Sequence, residues 1–523
     1  MREAQGLVDR LGFDGAGIVV ILGLGLGYHI APLLSRFPDT RLIIVEALAS
    51  CEELTREQGI VTLDAERITC ISGQSSTVAL QRISELQIAA GMPKLTLFAL
   101  PAAVAALPDY YLPVQEKLET GIRLDLPGRL RHQRFTGAER RVLLFDCGYL
   151  LTREVAAALE GLGHAVHRLH FTSLTPVGQL MADLVGAIAS FRPDFCLTIN
   201  HLGFDEGGEI ARFLDAIRLP AASWFVDSPD LIVKGFDRNV TPHTSLFIWD
   251  QSYFDSMLQS GFESVTYLPL GTDPDLFRLI PRTAPELAGF SARVGFVGNS
   301  MTVPLQDSLD KIDPALHPLA EILGRRMSTM RGRFGQVMAE LEPGERQLVS
   351  RLNTREQLDF EKAVTWQATL LYRLGCIDRL RDFRPVIHGD KGWRSLLSGE
   401  FTLRPPLTYY HDLPFFYNAC TVNFNATSLQ MGTAVNQRLF DCPLCGGFLL
   451  TDHQEAIEGL FEVGTEVITY REEEEITDLV RFYLENNTAR ERIAAKGRER
   501  VLAQHTYHHR LRTLIETMEQ RYR

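Results

Sequence analysis

The stretch "RRVLLFDCGYLLTREVAAALEGLGHAVHRLHF" (residues 140–171) decides the architecture. It opens on a short apolar run ending in a glycine turn, passes through a segment of helical character, and closes on a second extended run. A strand, a crossover helix and a second strand make the βαβ unit of a parallel sheet. Reading onward, "LVGAIASFRPDFCLTIN" (184–200), "IARFLDAIRLPAASWFVDSP" (210–229) and "TSLFIWDQSYFDSMLQSGFESVTYLPLG" (244–271) repeat the theme. Each is a helix feeding a strand, with polar or Gly/Pro turns at the strand's carboxyl end. The expected fold class is α/β, with a doubly wound parallel sheet here.

The same alternation occurs on both sides. Upstream, "GIVVILG" (17–23), "RLIIVEA" (41–47), "RITCISG" (67–73) and "KLTLFAL" (94–100) outline a smaller Rossmann-like domain over residues 1–105. Residues 106–138 mix prolines with a short amphipathic helix and read as a linker. Downstream, "ARVGFVGNS" (292–300) starts a third series, followed by a long helical section (about 303–382) and resumed alternation through "TEVITY" (465–470). The predicted division is therefore 1–105, linker 106–138, one Rossmann-like domain at 139–288, another at 289–500, and a C-terminal helix at 501–523. Two facing doubly wound domains place their strand carboxyl ends across one cleft, where ligands of such sheets bind. That is the GT-B arrangement of nucleotide-sugar glycosyltransferases.

Composition narrows the partners. The chain of 523 residues carries 53 Lys plus Arg against 65 Asp plus Glu, a net charge of −12. Extended binding to nucleic-acid backbone, which needs clustered cations, is not expected. "GRLRHQR" (128–134) is a local basic exception. The charged opening "MREAQGLVDR" does not read as a secretory signal, and no apolar stretch approaches the ~20 residues of a membrane span. Eight scattered cysteines fit reduced thiols, and we expect a cytoplasmic protein. "CPLC" (442–445) lacks a second pair at zinc spacing, so Cys442 and Cys445 read as buried apolar side chains. "EEEE" (472–475) reads as a solvated helix start.

"ILGLGLGYHI" (21–30) poses a separate question. Gly23, Gly25 and Gly27 lie where a strand hands over to a helix, and Glu46 ends the next apolar run. Glycines that admit a ligand to the backbone, with an acid for ribose hydroxyls, make a nucleotide site. The third glycine comes one residue early. One reading gives residues 1–105 an S-adenosylmethionine- or dinucleotide-dependent role. The favoured one is a retired site now used for docking or homodimerisation.

Chemistry concentrates in "NQRLFDCPLCGGFLLTD" (436–452). Asp441 on a helix, with Gly446 and Gly447 five positions on and a strand after them, is a candidate ribose-binding set, because a carboxylate accepts from two hydroxyls and glycines admit the backbone. Its rival reading is a helix-capping or pairing aspartate. A catalytic base would come from the other domain. His201 in "TINHLGFDEGG" and Asp227 in "WFVDSPD" both end strands facing the presumed cleft, against the alternatives of a satisfied loop histidine and a turn-forming aspartate. The histidines of "HTYHHRL" (505–511) read as packing or as a face returning to an earlier domain.

From residue 140 to the C-terminus the chain resembles the CgeB-type glycosyltransferases. "PAASWFVDSPD" and "FIWDQSYFDSMLQSGFESVTYLPLGTDPDLF" are similar to the acceptor-side half of that family, and "ARVGFVGNS" to the opening of its donor-side half. "NQRLFDCPLCGGFLLTD", "EVITYREEEEITDLVRFYLEN" and "AAKGRERVLAQHTYHHRL" are similar to its C-terminal module. The resemblance implies a GT-B enzyme that moves a sugar from a nucleotide-sugar donor, the co-substrate, with no other cofactor and no metal. "TDPD" (272–275) falls in a family-typical turn rather than a metal motif. Many GT-B enzymes have a glutamate where Asp441 stands, and retaining ones a second where Thr433 stands. The expected donor-side residues are Gly298, Asn299, Ser300, Asn436, Arg438, Asp441, Gly446 and Gly447, with Lys391 as a lesser candidate. "VILGLGLGYHI" with "RLIIVEA" resembles the start of motility accessory factor proteins, which implies a protein acceptor such as flagellin, or a surface glycan. The remaining alternative is a non-catalytic carbohydrate-binding scaffold.

Overall fold

Parallel strands whose central members are buried along their whole length build this molecule. The computed structural model describes residues 2–60, 63, 67–90, 93–123, 126–233 and 236–523. Within them, every strand pair is parallel and the strands form three sheets. The first holds β1 (Ile18–Leu22), β2 (Arg41–Glu46), β3 (Ile68–Ser72) and β4 (Leu95–Ala99) in the order β3-β2-β1-β4. The second holds β5 (Arg141–Asp146), β6 (Ala165–His170), β7 (Phe195–Ile199), β8 (Ala221–Phe225), β9 (Thr244–Ile248) and β10 (Val265–Tyr267), ordered β10-β9-β8-β7-β5-β6. The third holds β11 (Ala292–Val297), β12 (Val386–His388), β13 (Thr402–Arg404), β14 (Cys420–Phe424), β15 (Leu449–Asp452) and β16 (Ile468–Tyr470), ordered β13-β12-β11-β14-β15-β16. β7, β8 and β9 are buried at every position, as strands covered by helices on both faces must be.

Each strand order reverses once, and the reversal marks a crevice. The switch points lie between β1 and β4, between β5 and β7, and between β11 and β14. Ligands of open α/β sheets bind at the carboxyl ends of the strands flanking such a point.

The second and third sheets belong to two Rossmann-like domains paired as expected for GT-B. One apolar core runs from Leu144, Leu197, Trp224 and Phe247 through Phe277 and Tyr507 to Leu439 and Phe440. The helix Tyr507–Tyr522 carries the chain back to the domain of the second sheet, packing on the helix Thr152–Gly161. The histidines of 505–511 serve this return. His505 is buried and bonded to the carbonyl of Leu460, while His509 closes the capping box at Thr506.

One boundary differs from expectation. Residues 106–138 are not a plain linker, because the helix Pro108–Arg123 buries Tyr111, Val114 and Leu118 in one core with Ile18, Val20 and Ile43. Its amphipathic face completes the cover of the first sheet. Among the described residues, no helix is long and apolar enough to cross a membrane.

Candidate functional site

At the switch point of the second sheet, Tyr149 follows β5, Asn200 follows β7 and Asp227 follows β8. Asn200 sits at φ 52°, a left-handed conformation that asparagine tolerates better than most residues. Its Oδ1 accepts from the backbone N–H groups of Val226 (2.8 Å) and Asp227 (3.2 Å). Its Nδ2 donates to Asp227 Oδ2 at 2.8 Å and to the Tyr149 hydroxyl at 3.0 Å. The Tyr149 hydroxyl donates to the same Oδ2 at 2.5 Å. Burial, and then the Asp227 carboxylate, push the Tyr149 phenol well above its usual range, so it stays a donor. Asp227 Oδ1 has no hydrogen-bond partner among the described residues. It is a positioned carboxylate with one oxygen free to accept a proton.

His201 does not face this crevice. It is 2% exposed, its ring stacks on Phe204 with centroids 4.2 Å apart, and its Nδ1 meets the Ser223 hydroxyl at 3.1 Å. Burial lowers its pKa to about 4. The backbone turn at φ 59° points the imidazole down into the domain core, so the sequence expectation of a cleft-facing base fails.

Across the cleft, the switch point of the third sheet gathers two arginines. Arg438 donates to the Val297 carbonyl at the end of β11 and to Asn425 Oδ1 at the end of β14, and its guanidinium lies over the Phe296 ring. Arg373, from the helix Thr354–Asp378, donates to the carbonyls of Asn299 (2.8 Å) and Ala426 (3.2 Å). Burial, and then Arg438, lower the Arg373 pKa to about 10. Among the described residues neither guanidinium has a carboxylate within salt-bridge distance. Asn436 donates to Asn425 Oδ1 at 2.9 Å, while Asn436 Oδ1 and Arg438 Nε are buried without partners. Arg438 also bonds the Tyr417 phenol, and two close cations beside orphaned polar atoms make a candidate anion site. Arg373 was absent from the sequence reading, because a lone arginine in a long helix carries no motif.

The other expected donor residues divide. Asn299 is exposed at the end of β11, beside Arg373. Ser300 is buried, its hydroxyl bonded to Asp390 at 2.6 Å, and the Gly298 carbonyl accepts from the Trp393 indole at 2.8 Å, so both shape the loop. Lys391 is exposed next to that loop. Gly446 and Gly447 lie at the opposite edge of the sheet. The helix Arg438–Leu444 runs back against the strand direction, so the glycines fall at the amino end of β15. A side chain at Gly446 would run into Leu279, and one at Gly447 would meet Cys442 and the Tyr417 carbonyl. Asp441 is 1% exposed and its oxygens already accept from Thr272 (2.6 Å), Tyr409 (2.9 Å) and Gln437 (3.2 Å), at the junction of the domains. In this conformation it offers nothing to a ribose.

The first sheet's switch point is filled by the protein itself. Glu46 accepts from the N–H of Leu24 (2.8 Å), the N–H of Leu48 (3.1 Å) and the Tyr111 hydroxyl (3.0 Å). The helix Pro101–Ala106 packs against Gly23, where a side chain would strike Ala103, and Leu100 lies beside Gly25. Gly27 closes a turn onto the Leu24 carbonyl. The glycines make room for a helix where a nucleotide would sit.

Residues 371–516 match the family model described as glycosyl transferase-like. That segment contains Arg373, Asn436 and Arg438 and ends inside the returning helix. No curated protein sequence matches the chain. Among solved structures, Anabaena HepE in complex with UDP-glucose is similar at 14% identity, covering 73% of this chain and 100% of its own, with a TM-score of 0.43. A glycosyltransferase from Rickettsia africae is similar at 9% identity over 74% of this chain and 99% of its own, TM-score 0.46. Sucrose-phosphate synthase from Thermosynechococcus elongatus is similar at 10% identity over 73% and 99%, TM-score 0.42. Likenesses this loose carry no chemistry to the present chain.

Proposed function

We propose that the chain is a glycosyltransferase that takes a sugar from a nucleoside diphosphate to an acceptor hydroxyl in the cleft between the second and third sheets. The observation that carries this reading is the pair Arg373 and Arg438, without a salt bridge among the described residues, at one switch point, opposite the half-satisfied Asp227 at the other. The match of residues 371–516 to a glycosyl transferase-like model supports it. As the bond from sugar to diphosphate breaks, negative charge grows on the departing phosphate. Two fixed guanidiniums stabilise that charge more than they stabilise the intact donor, which lowers the barrier. Asp227 Oδ1 takes the acceptor hydroxyl proton as the oxygen attacks the anomeric carbon. Tyr149 and Asn200 hold Oδ2, so that the carboxylate presents its free oxygen. With Glu46 occupied and the glycine turn filled, residues 1–123 are a docking module in this reading.

The deciding experiment is thermal stabilisation by UDP, GDP, dTDP and CDP, with S-adenosylmethionine and NAD as controls. A ligand that binds only the folded state raises Tm by mass action. A shift with one nucleoside diphosphate that is lost in Arg438→Ala supports the reading. A shift only with S-adenosylmethionine or NAD overturns it.

A further inference from the structure

The basic segment 128–134 is not used by the cleft. It opens a second site at the amino ends of the second sheet, the edge opposite the cleft. An open cavity of about 960 Å³ there is lined by Arg131, His132, Arg134, Arg218, Tyr522 and Arg523, with polar and aromatic neighbours and, among the described residues, no acidic side chain. Three different parts of the chain converge on it: the approach to β5, the turn before β8 and the end of the returning helix.

Local structure accounts for part of this cluster. Arg131 donates through Nε (3.1 Å) and Nη2 (2.6 Å) to the Ala216 carbonyl, and Arg134 donates through Nη2 (3.0 Å) to the Ile217 carbonyl. Both thereby satisfy carbonyls at the C-terminal end of the helix Glu209–Ala216, where cations are favoured. The remainder is not explained that way. Arg134 Nε is buried without a partner. Arg218 holds a left-handed φ of 57° and makes no side-chain hydrogen bond among the described residues. Arg523 donates to Glu519 on the flank, at 2.9 Å. With Arg523 paired to Glu519, the Arg131, Arg134 and Arg218 guanidiniums still share one cavity, and their mutual repulsion falls when an anion joins them.

We propose that this cavity binds a phosphate group, either free in solution or displayed as a lipid headgroup. Planar guanidiniums with unused N–H groups match phosphate oxygens in pairs, which a scatter of surface lysines would not. The site is independent of the cleft and of the reaction assigned to it.

The test uses the full chain with two probes: inorganic pyrophosphate by titration calorimetry, and phosphatidylglycerol vesicles by co-sedimentation against phosphatidylcholine vesicles. Wild type is compared with Arg218→Glu, which leaves the helix-capping arginines in place, and with Arg438→Ala, which removes the cleft site. Binding to either probe that falls about tenfold or more in Arg218→Glu and persists in Arg438→Ala supports the cavity. Vesicle binding without pyrophosphate binding assigns a lipid headgroup, and the converse assigns a soluble phosphate. Failure to bind either probe overturns the proposal, as does binding unchanged in Arg218→Glu. A pyrophosphate signal lost only in Arg438→Ala also overturns it, while leaving the glycosyltransferase reading intact.

Discussion

The carboxylate of Asp250, two residues past β9, is received by Thr433 of the opposite domain, through its hydroxyl at 2.7 Å and its backbone N–H at 3.1 Å. Gly432 N–H (2.7 Å) and Ala434 N–H (3.3 Å) donate to the same group, which is wholly buried. Thr433, on the domain of the third sheet, thus joins the two domains. The segment it lies in leads directly to Asn436 and Arg438.

Asp250→Ala takes the acceptor from the backbone N–H groups of Ser252, Gly432, Thr433 and Ala434 and from the Thr433 hydroxyl. Leaving a buried donor unsatisfied costs about 1–3 kcal/mol. Urea unfolding should show that loss, and nucleoside diphosphate affinity should fall with it. A variant as stable as wild type would mean the domains are held together elsewhere.

Asp227→Asn keeps the shape of the Tyr149–Asn200 cluster and removes the proton acceptor. Transfer should fall by about 10²–10⁴, the usual contribution of a general base, while donor affinity stays within about twofold. Retention of full turnover would remove Asp227 from the mechanism.

Arg438→Ala and Arg373→Ala each delete charge-assisted hydrogen bonds to the departing diphosphate. Each bond of that type is worth about 1.5–3 kcal/mol, so affinity for the nucleoside diphosphate should drop by about 10–100-fold. Calorimetry on the two variants measures this directly. If only Arg438 matters, Arg373 is a structural group bracing the Asn299 loop.

His201→Phe should leave turnover unchanged and cost on the order of 1 kcal/mol, for the lost bond to Ser223. A loss of kcat without loss of stability would restore His201 to the chemistry.

Much of the fold was legible because central parallel strands covered on both faces must be apolar runs, as β5, β7, β8 and β9 are, while β6 and β10 at the edges are only partly buried. Asp227 could be read from its place at a strand end. His201 could not be told apart from it, since one left-handed residue decides whether a strand-end side chain enters the cleft or the core. Asp441, Gly446 and Gly447 misled for a related reason. Asp441 follows Arg438 in one helix that runs away from the crevice, and the glycines come just after its end. Arg373 and Asp250 act through partners 50 or more residues away, and no local spacing records such contacts. The glycine turn at Gly23 resembles a nucleotide site because room for a helix and room for a phosphate need the same residue, and its filling by Ala103 fits the favoured reading of a site not used for a nucleotide.

Asp441 sets the alkaline limb of stability. Burial raises its carboxyl to about 8, outweighing the hydrogen bonds from Thr272, Tyr409 and Gln437 that favour the charged form. The native state therefore holds this proton more tightly than the unfolded chain, whose aspartates titrate near 4. The stability it contributes is full below that value and is lost as pH rises through about 8. His29, His201 and His505 work in the opposite sense. Burial lowers each to about 4, so their contribution is present above about 6.5 and is lost as pH falls toward 4. Stability should thus peak near pH 6.5 and decline toward pH 8. In Asp441→Asn the amide oxygen still accepts from Thr272 and Gln437, the Tyr409 hydroxyl turns to accept from the amide, and no proton is left to lose. Urea midpoints at pH 6.5 and 8.0 should then differ less in the variant than in wild type. An unchanged difference would place the alkaline limb on other carboxyls, with Glu209, which burial raises to about 7, as the next group to neutralise.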